Sequence, residues 1–131
     1  MQLQKPTIVI ADDNEEVIRQ VMLLLDHSYD LIGVCHDGEQ ALSAVTGLHP
    51  DVVVLDIAMP KLGGLQVVGR LQTLKTKSKI IMLTASEDQD LANGAIEAGA
   101  HGFVLKRRMH SDLQKAIDAV MHGAIFISQA S

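Results

Sequence analysis

Val52-Val53-Val54-Leu55-Asp56 is apolar at every position until it closes on a carboxylate. Three other runs have the same shape: Ile8-Val9-Ile10-Ala11 into Asp12-Asp13, Ile80-Ile81-Met82-Leu83 into Thr84, and Phe103-Val104-Leu105 into Lys106. Runs apolar throughout are what strands buried on both faces look like, and buried helix has the same periodicity. Their shortness, β-branching and flanking turn residues decide for strands. The segments between them carry apolar residues at helical spacing, and this alternation implies βαβ units around a parallel sheet. Ligand sites in open sheets of that kind lie outside the carboxyl ends of the strands. Asp12, Asp13, Asp56, Thr84 and Lys106 would then share one edge.

The helical segments have start and stop signals. After Asp13-Asn14, either of which could cap, Glu15 and Glu16 fall in a first turn where negative charge is favoured. Val17, Val21, Leu24 and Leu25 form the apolar stripe that follows. A second helix opens at Asp37 with Gln40 and carries Ala41, Leu42 and Val45 towards Gly47; a third carries Leu65, Val68 and Leu71. Ser86 with Gln89 and Ser111 with Gln114 read as capping boxes. They precede the stripes Leu91, Ala95, Ile96 and Leu113, Ala116, Ile117, Val120, which Gly99 and Gly123 stop. With Asp30 to Cys35 as a further strand, five strands alternate with five helices.

The chain of 131 residues can bury a normal core, and no composition shift or linker divides it. It is expected to be a single domain over 1–131, with its core over 6–123 and 124–131 as a tail or the start of a linker. No apolar stretch reaches membrane-spanning length and Met1 to Pro6 is polar, so a cytoplasmic protein is expected. The one cysteine, Cys35, has no intrachain partner and reads as packing in a strand. A net charge of −5, few aromatics and no extended basic stripe argue against nucleic-acid binding by this chain. Lys106-Arg107-Arg108 is the one basic cluster; Arg107 and Arg108 read as solvated loop, and Lys106 differs because it ends a strand. The six histidines show no metal-binding spacing.

Three carboxylates held close must raise one another's pKa values or recruit a cation. Oxygen-only ligands without Cys or His select a hard ion, so Mg²⁺ is expected, with Mn²⁺ able to substitute. A carboxylate can also attack phosphorus to form an acyl phosphate, a reaction that needs positioning and neutralisation of the transferring oxygens. Lys106 would contribute to that neutralisation, and Thr84 can donate a hydrogen bond to a phosphoryl oxygen. Taken singly, each residue has an ordinary reading: Asp12 or Asp13 as a helix cap, Asp56 as a turn residue before the loop marked by Met59-Pro60 and Gly63-Gly64, Thr84 as a β-branched strand end, Lys106 as a solvated end. Complementary groups at four strand ends of one fold favour the joint reading.

The pattern Ile-Ala-Asp12-Asp13, Val-Leu-Asp56-Ile-Ala-Met-Pro60 with Gly64, Met-Leu-Thr84-Ala and Gly102-Phe-Val-Leu-Lys106 resembles a response-regulator receiver domain over essentially the whole chain. The stretch from Leu113 to Ser128 is similar to receivers of the NarL/FixJ (LuxR-type) subgroup, which usually precede a helix-turn-helix DNA-binding domain. The resemblance implies a doubly wound flavodoxin-like α/β sandwich, (βα)5, with a parallel sheet in the order 2-1-3-4-5. It implies Asp56 as phosphoacceptor for a sensor histidine kinase or histidine phosphotransfer protein. Asp12, Asp13, Asp56 and the Ala58 carbonyl would hold Mg²⁺, and Thr84 and Lys106 the phosphoryl oxygens. Phe103, otherwise core, would take the aromatic position that turns inward with Thr84. It also implies an output surface including Ala92, Ile96, Lys106 and Leu113, a kinase contact near Asn14 to Val21, and a phosphorylation-dependent homodimer controlling transcription. No enzymatic turnover is implied beyond the chain's own phosphorylation and dephosphorylation. Arg107 stands where a proline is usual, and a non-proline cis bond there would cost about 2.5–4 kcal/mol.

Two alternatives differ in class. A haloacid-dehalogenase-like phosphatase also uses a strand-end Asp and Mg²⁺, but needs a second carboxylate where this chain has Ala58. A stand-alone receiver acting through protein–protein contact would keep the same acidic pair, Asp56, Thr84 and Lys106.

Overall fold

The computed structural model describes residues 5–129. Five helices alternate with strands β1 (Thr7–Ala11), β2 (Asp30–Cys35), β3 (Val52–Asp56), β4 (Lys79–Thr84) and β5 (Gly102–Leu105). The helices are α1 (Glu15–Leu25), α2 (Gly38–Leu48), α3 (Gly64–Thr73), α4 (Gln89–Ala98) and α5 (Met109–Met121). A 3₁₀ turn, Lys106–Arg108, joins β5 to α5, and a short sixth strand, β6 (Phe126–Ile127), follows α5.

All pairings are parallel and the order is β2-β1-β3-β4-β5-β6. The expected order 2-1-3-4-5 is present, and the expectation of five strands is corrected to six. Part of the segment read as a tail pairs with β5 at Gly102↔Phe126 and Phe103↔Ile127. Two residues carry too short a pattern for periodicity to reveal a strand. The N-terminal Met1 to Gln4 and the last residues of the expected tail, Ala130 and Ser131, lie outside the described residues.

Unbroken apolar strands arise because both sheet faces are covered. Val9, Val53, Leu55, Ile80, Met82 and Phe103 pack with Ala41, Val45, Val67, Leu71 and Ala95 of α2, α3 and α4. Ile8, Ile10, Val52, Val54, Ile81 and Leu83 pack with Val21, Leu25, Leu113 and Ile117 of α1 and α5. Alternate residues of one strand therefore serve opposite cores, as the strand period of two requires. Each fully buried aliphatic side chain contributes about 1.5–3 kcal/mol relative to exposure.

Details of the helices differ from expectation. Ile18 is buried with Val21 and Leu25 in α1, whereas Val17 and Leu24 sit at the margin. In α3 the buried side chains are those of Val67, Val68 and Leu71, beside the buried Gly64, and Leu65 is exposed. Asn14, not Asp13, caps α1, accepting from the Glu16 and Val17 amides. The cap of α4 is Asp88, and the Ser86 hydroxyl instead accepts the Asp88 amide from two residues earlier. Helix α5 starts at Met109, so Ser111 lies within it rather than at its cap. Gly99 (φ 122) and Gly123 (φ 86) follow α4 and α5 as expected of stops. No helix among the described residues is long and apolar enough to cross a membrane.

Candidate functional site

Strand register builds the site. Asp56 ends β3 opposite Leu83, and Thr84 ends β4 opposite Leu105, the residue before Lys106. On the other side of β3, Ala11 pairs with Leu55, which brings Asp12 to the same edge. The Asp12 amide donates to the Cys35 carbonyl at 3.0 Å, holding this turn against the end of β2.

Asp12, Asp13 and Asp56 each present a carboxylate oxygen, all within 4.8 Å of one another. Asp12 is 0% and Asp56 5% exposed, while Asp13 opens to solvent. Lys106 Nζ stands 3.0 Å from Asp12 Oδ2 and 3.4 Å from Asp56 Oδ1. Asp12 Oδ1 accepts the Asn14 amide at 2.9 Å, and Asp56 Oδ1 the Ala58 amide at 3.3 Å. Asp12 Oδ2 has no aligned donor despite its burial, and its closeness to Lys106 is an ion-pair contact only. Lys106 offsets part of the cost of burying this oxygen, but one ammonium cannot balance three clustered carboxylates. The orphaned oxygen and the three convergent carboxylates therefore fit a hard cation. Burial pushes the Asp56 carboxyl above its ordinary range and the Asp12 charge adds to this; Lys106 and the Ala58 amide oppose it.

The loop after Asp56 is held by main-chain bonds, Ile57 N–H to Leu83 O at 3.2 Å and Gly64 N–H to Ile57 O at 2.8 Å. At Gly64 a Cβ would lie 2.4 Å from the Asp56 carbonyl oxygen, so only glycine lets α3 start this close to the acceptor strand. Thr84 is 5% exposed and its Oγ1 accepts the Ser86 amide at 3.0 Å. Phe103 faces the α2–α4 core, where its ring is buried.

Several surface expectations are corrected. Ala92 (2% exposed) and Leu113 (0%) belong to the two cores and cannot line an output surface. Their helical stripes face inward, and Ile96 is only partly buried. Lys106 lies within the site, its side chain 23% exposed. Arg107 is exposed as expected, but it is tied down, binding both Glu87 carboxylate oxygens at 3.0 and 3.1 Å; Arg108 is half-buried instead of solvated and reaches Asp112 at 3.0 Å. No local pattern pairs Arg107 with Glu87, which come together only when the β4–α4 and β5–α5 connections meet. No cis peptide bond occurs among the described residues. Sequence reading also missed a rim pair, His36 Nε2 to Glu15 Oε1 at 2.8 Å. A cavity of about 800 Å³ lined by His49, Pro50, Leu74, Lys77 and Met121 holds none of the site residues.

The model of the response regulator receiver domain family matches residues 8–118. The chain is 37% identical over 118 residues to the uncharacterized transcriptional regulatory protein YvfU of Bacillus subtilis, covering 88% of this chain and 59% of that protein. It is 29% identical over 133 residues to the nitrate/nitrite response regulator protein NarL of Escherichia coli K12, covering 99% and 62%. The chain thus spans about three-fifths of the length of these curated relatives. A crystal structure of a LuxR-family two-component response regulator from Aurantimonas superposes with a TM-score of 0.89 at 26% identity, covering 95% of this chain and 91% of that one.

Proposed function

The chain belongs to the response regulator receiver family, with NarL- and LuxR-type regulators as its relatives, and from that membership we propose that Asp56 is its phosphoryl acceptor. The observation carrying this reading is the buried Asp12–Lys106–Asp56 constellation with Asp13 at its rim. The receiver implies a phosphodonor partner; we take it to be a sensor histidine kinase or histidine phosphotransfer protein.

An oxygen of the Asp56 carboxylate attacks phosphorus, a new P–O bond forms, and the bond from phosphorus to the donor's nitrogen or oxygen breaks with its electron pair leaving on the donor. Asp12, Asp13, Asp56 and the Ala58 carbonyl would hold Mg²⁺, which when bound supplies charge neutralisation for the phosphoryl oxygens. Lys106 Nζ, already 3.4 Å from Asp56, is within reach of the group once it arrives. Thr84 can turn its hydroxyl from acceptor to donor towards a phosphoryl oxygen. Such contacts shift a two-state equilibrium only as far as they differ between the states; Thr84 would be drawn inward in the modified one, whereas Phe103, expected to turn inward with it, already has its ring buried and has no inward turn left to make.

The chemistry is confined to the chain's own phosphorylation and dephosphorylation, and Ala58 leaves no second carboxylate for turnover of an outside substrate. In the cytoplasm, the whole protein would act on transcription through a DNA-binding segment outside this chain, with two copies pairing on phosphorylation. That relatives are a transcriptional regulatory protein and a nitrate/nitrite response regulator favours this over stand-alone action. The test is intact mass after incubation with acetyl phosphate and Mg²⁺. Wild type should gain one alkali-labile phosphoryl group and Asp56→Asn none; equal labelling of both would place the acceptor elsewhere.

A further inference from the structure

The strand β6 is only two residues long and lies at the sheet edge, so its docking depends on individual bonds. The Phe126 amide donates to His101 O at 3.1 Å and the Ser128 amide to Phe103 O at 2.9 Å. The Ser128 hydroxyl adds two more: it accepts the Leu105 amide at 3.2 Å and donates to Asp112 Oδ2 at 2.7 Å. Asp112 is 4% exposed and also accepts from Arg108 Nε at 3.0 Å and from the Ser111 hydroxyl at 3.0 Å. Burial alone would push its carboxyl up, but the bonds from Ser128, Arg108 and Ser111 outweigh burial and leave it below the ordinary carboxylate range. The anchor is thus an ionised, multiply bonded carboxylate.

These contacts bracket Lys106 in sequence and in space. Leu105, immediately before it, is tied to Ser128; Arg108, two residues after it, is tied to Asp112. We propose that Ser128 is a positioning residue whose hydroxyl, through Leu105 and the Arg108–Asp112 pair, couples the Lys106 turn to the docking of the C-terminal strand β6. The inference rests on the reading of Asp56 as acceptor. A tetrahedral anionic group on Asp56 competes with Asp12 for Lys106 Nζ, and any shift of the turn that carries Lys106 pulls on both ends of the bracket. On this proposal the bracket favours the unmodified arrangement, in which Lys106 Nζ pairs with Asp12 at 3.0 Å. Coupling free energies are reciprocal, so whatever loosens β6 must favour the group on Asp56 by the same factor that the group loosens β6.

The test is the dissociation constant of beryllofluoride in saturating Mg²⁺, by calorimetry or ¹⁹F NMR, for wild type, Ser128→Ala, Ser128→Thr and Asp112→Asn. Beryllofluoride mimics the phosphoryl group and needs no donor protein. Ser128→Ala and Asp112→Asn should bind it about fivefold tighter or more, the lower end of ordinary coupling. Ser128→Thr, which keeps the hydroxyl, should bind as wild type. Amide exchange at Phe126 and Ser128 in wild type should speed up on adding beryllofluoride. Circular dichroism of each variant checks that the fold is kept, and Asp112→Asn serves as the second variant if Ser128→Ala unfolds. A purely structural Ser128 would leave the dissociation constant unchanged. Unchanged affinity in Ser128→Ala would overturn the coupling, and weakened affinity would overturn the assignment of the bracket to the unmodified state. No binding to wild type would overturn the acceptor reading and this inference with it.

Discussion

Asp12 shows most directly how burial turns a residue into a site, because its Oδ2 is enclosed without an aligned donor while Lys106 stands beside it. Saturating Mg²⁺ should raise the melting temperature of the wild-type chain, since a ligand at 100 times its Kd adds about 2.7 kcal/mol. Asp12→Asn should remove most of that shift in a calorimetric scan, and a full shift in the variant would sink the carboxylate assignment. A second residue-scale prediction uses the single tyrosine in a chain without tryptophan. Burial, a 3.0 Å hydrogen bond to Asp118 and the charge of Asp118 push Tyr29 up to about 12. Its folded value lies above the unfolded one of roughly 10, so the stability it contributes is complete below the unfolded value. That stability is lost as pH rises towards about 12. Ultraviolet difference titration should show this delayed ionisation, and Asp118→Asn should move it down.

At the scale of elements, faces matter more than membership in a helix. Leu113 of α5 and Leu65 of α3 both sit in apolar patterns, yet one is fully buried and the other exposed. Leu113→Ala should cost about 2–5 kcal/mol in chemical denaturation. Leu65→Ala should change stability by about 0.5 kcal/mol or less. Comparable losses would mean the α3 face is wrongly placed. The start of α3 offers a second test, because Gly64→Ala would put a methyl group 2.4 Å from the Asp56 carbonyl oxygen. The Asp56 loop must then move, and Mg²⁺ protection against thermal unfolding should fall together with labelling by acetyl phosphate.

Across the whole molecule, the parallel sheet separates two jobs. The carboxyl ends of β1, β3 and β4 and the turn after β5 carry Asp12, Asp56, Thr84 and Lys106, while the two covered faces carry the cores. The acidic balance gives the chain no electrostatic basis for gripping a polyanion. Duplex DNA should therefore fail to retain this chain at physiological ionic strength, as gel-shift titration would show; tight, salt-sensitive binding would contradict the charge argument.

The order of strands and helices, the unbroken apolar runs and the polar residue closing each run were legible in the sequence. Burial on both faces demands apolar residues at successive strand positions, and parallel strands bring their ends to one edge whatever the details between them. Asp12, Asp13, Asp56, Thr84 and Lys106 could be singled out for that reason. The tertiary structure decided what depends on partners distant in the chain. It buried Ala92 and Leu113 where a surface was expected, paired Arg107 with Glu87, and made Asp88 rather than Ser86 the cap of α4. It also docked β6 on β5 through Ser128 and Asp112. Local pattern reports which residues want burial or a hydrogen bond. Which group supplies it is settled only when elements far apart in the chain meet.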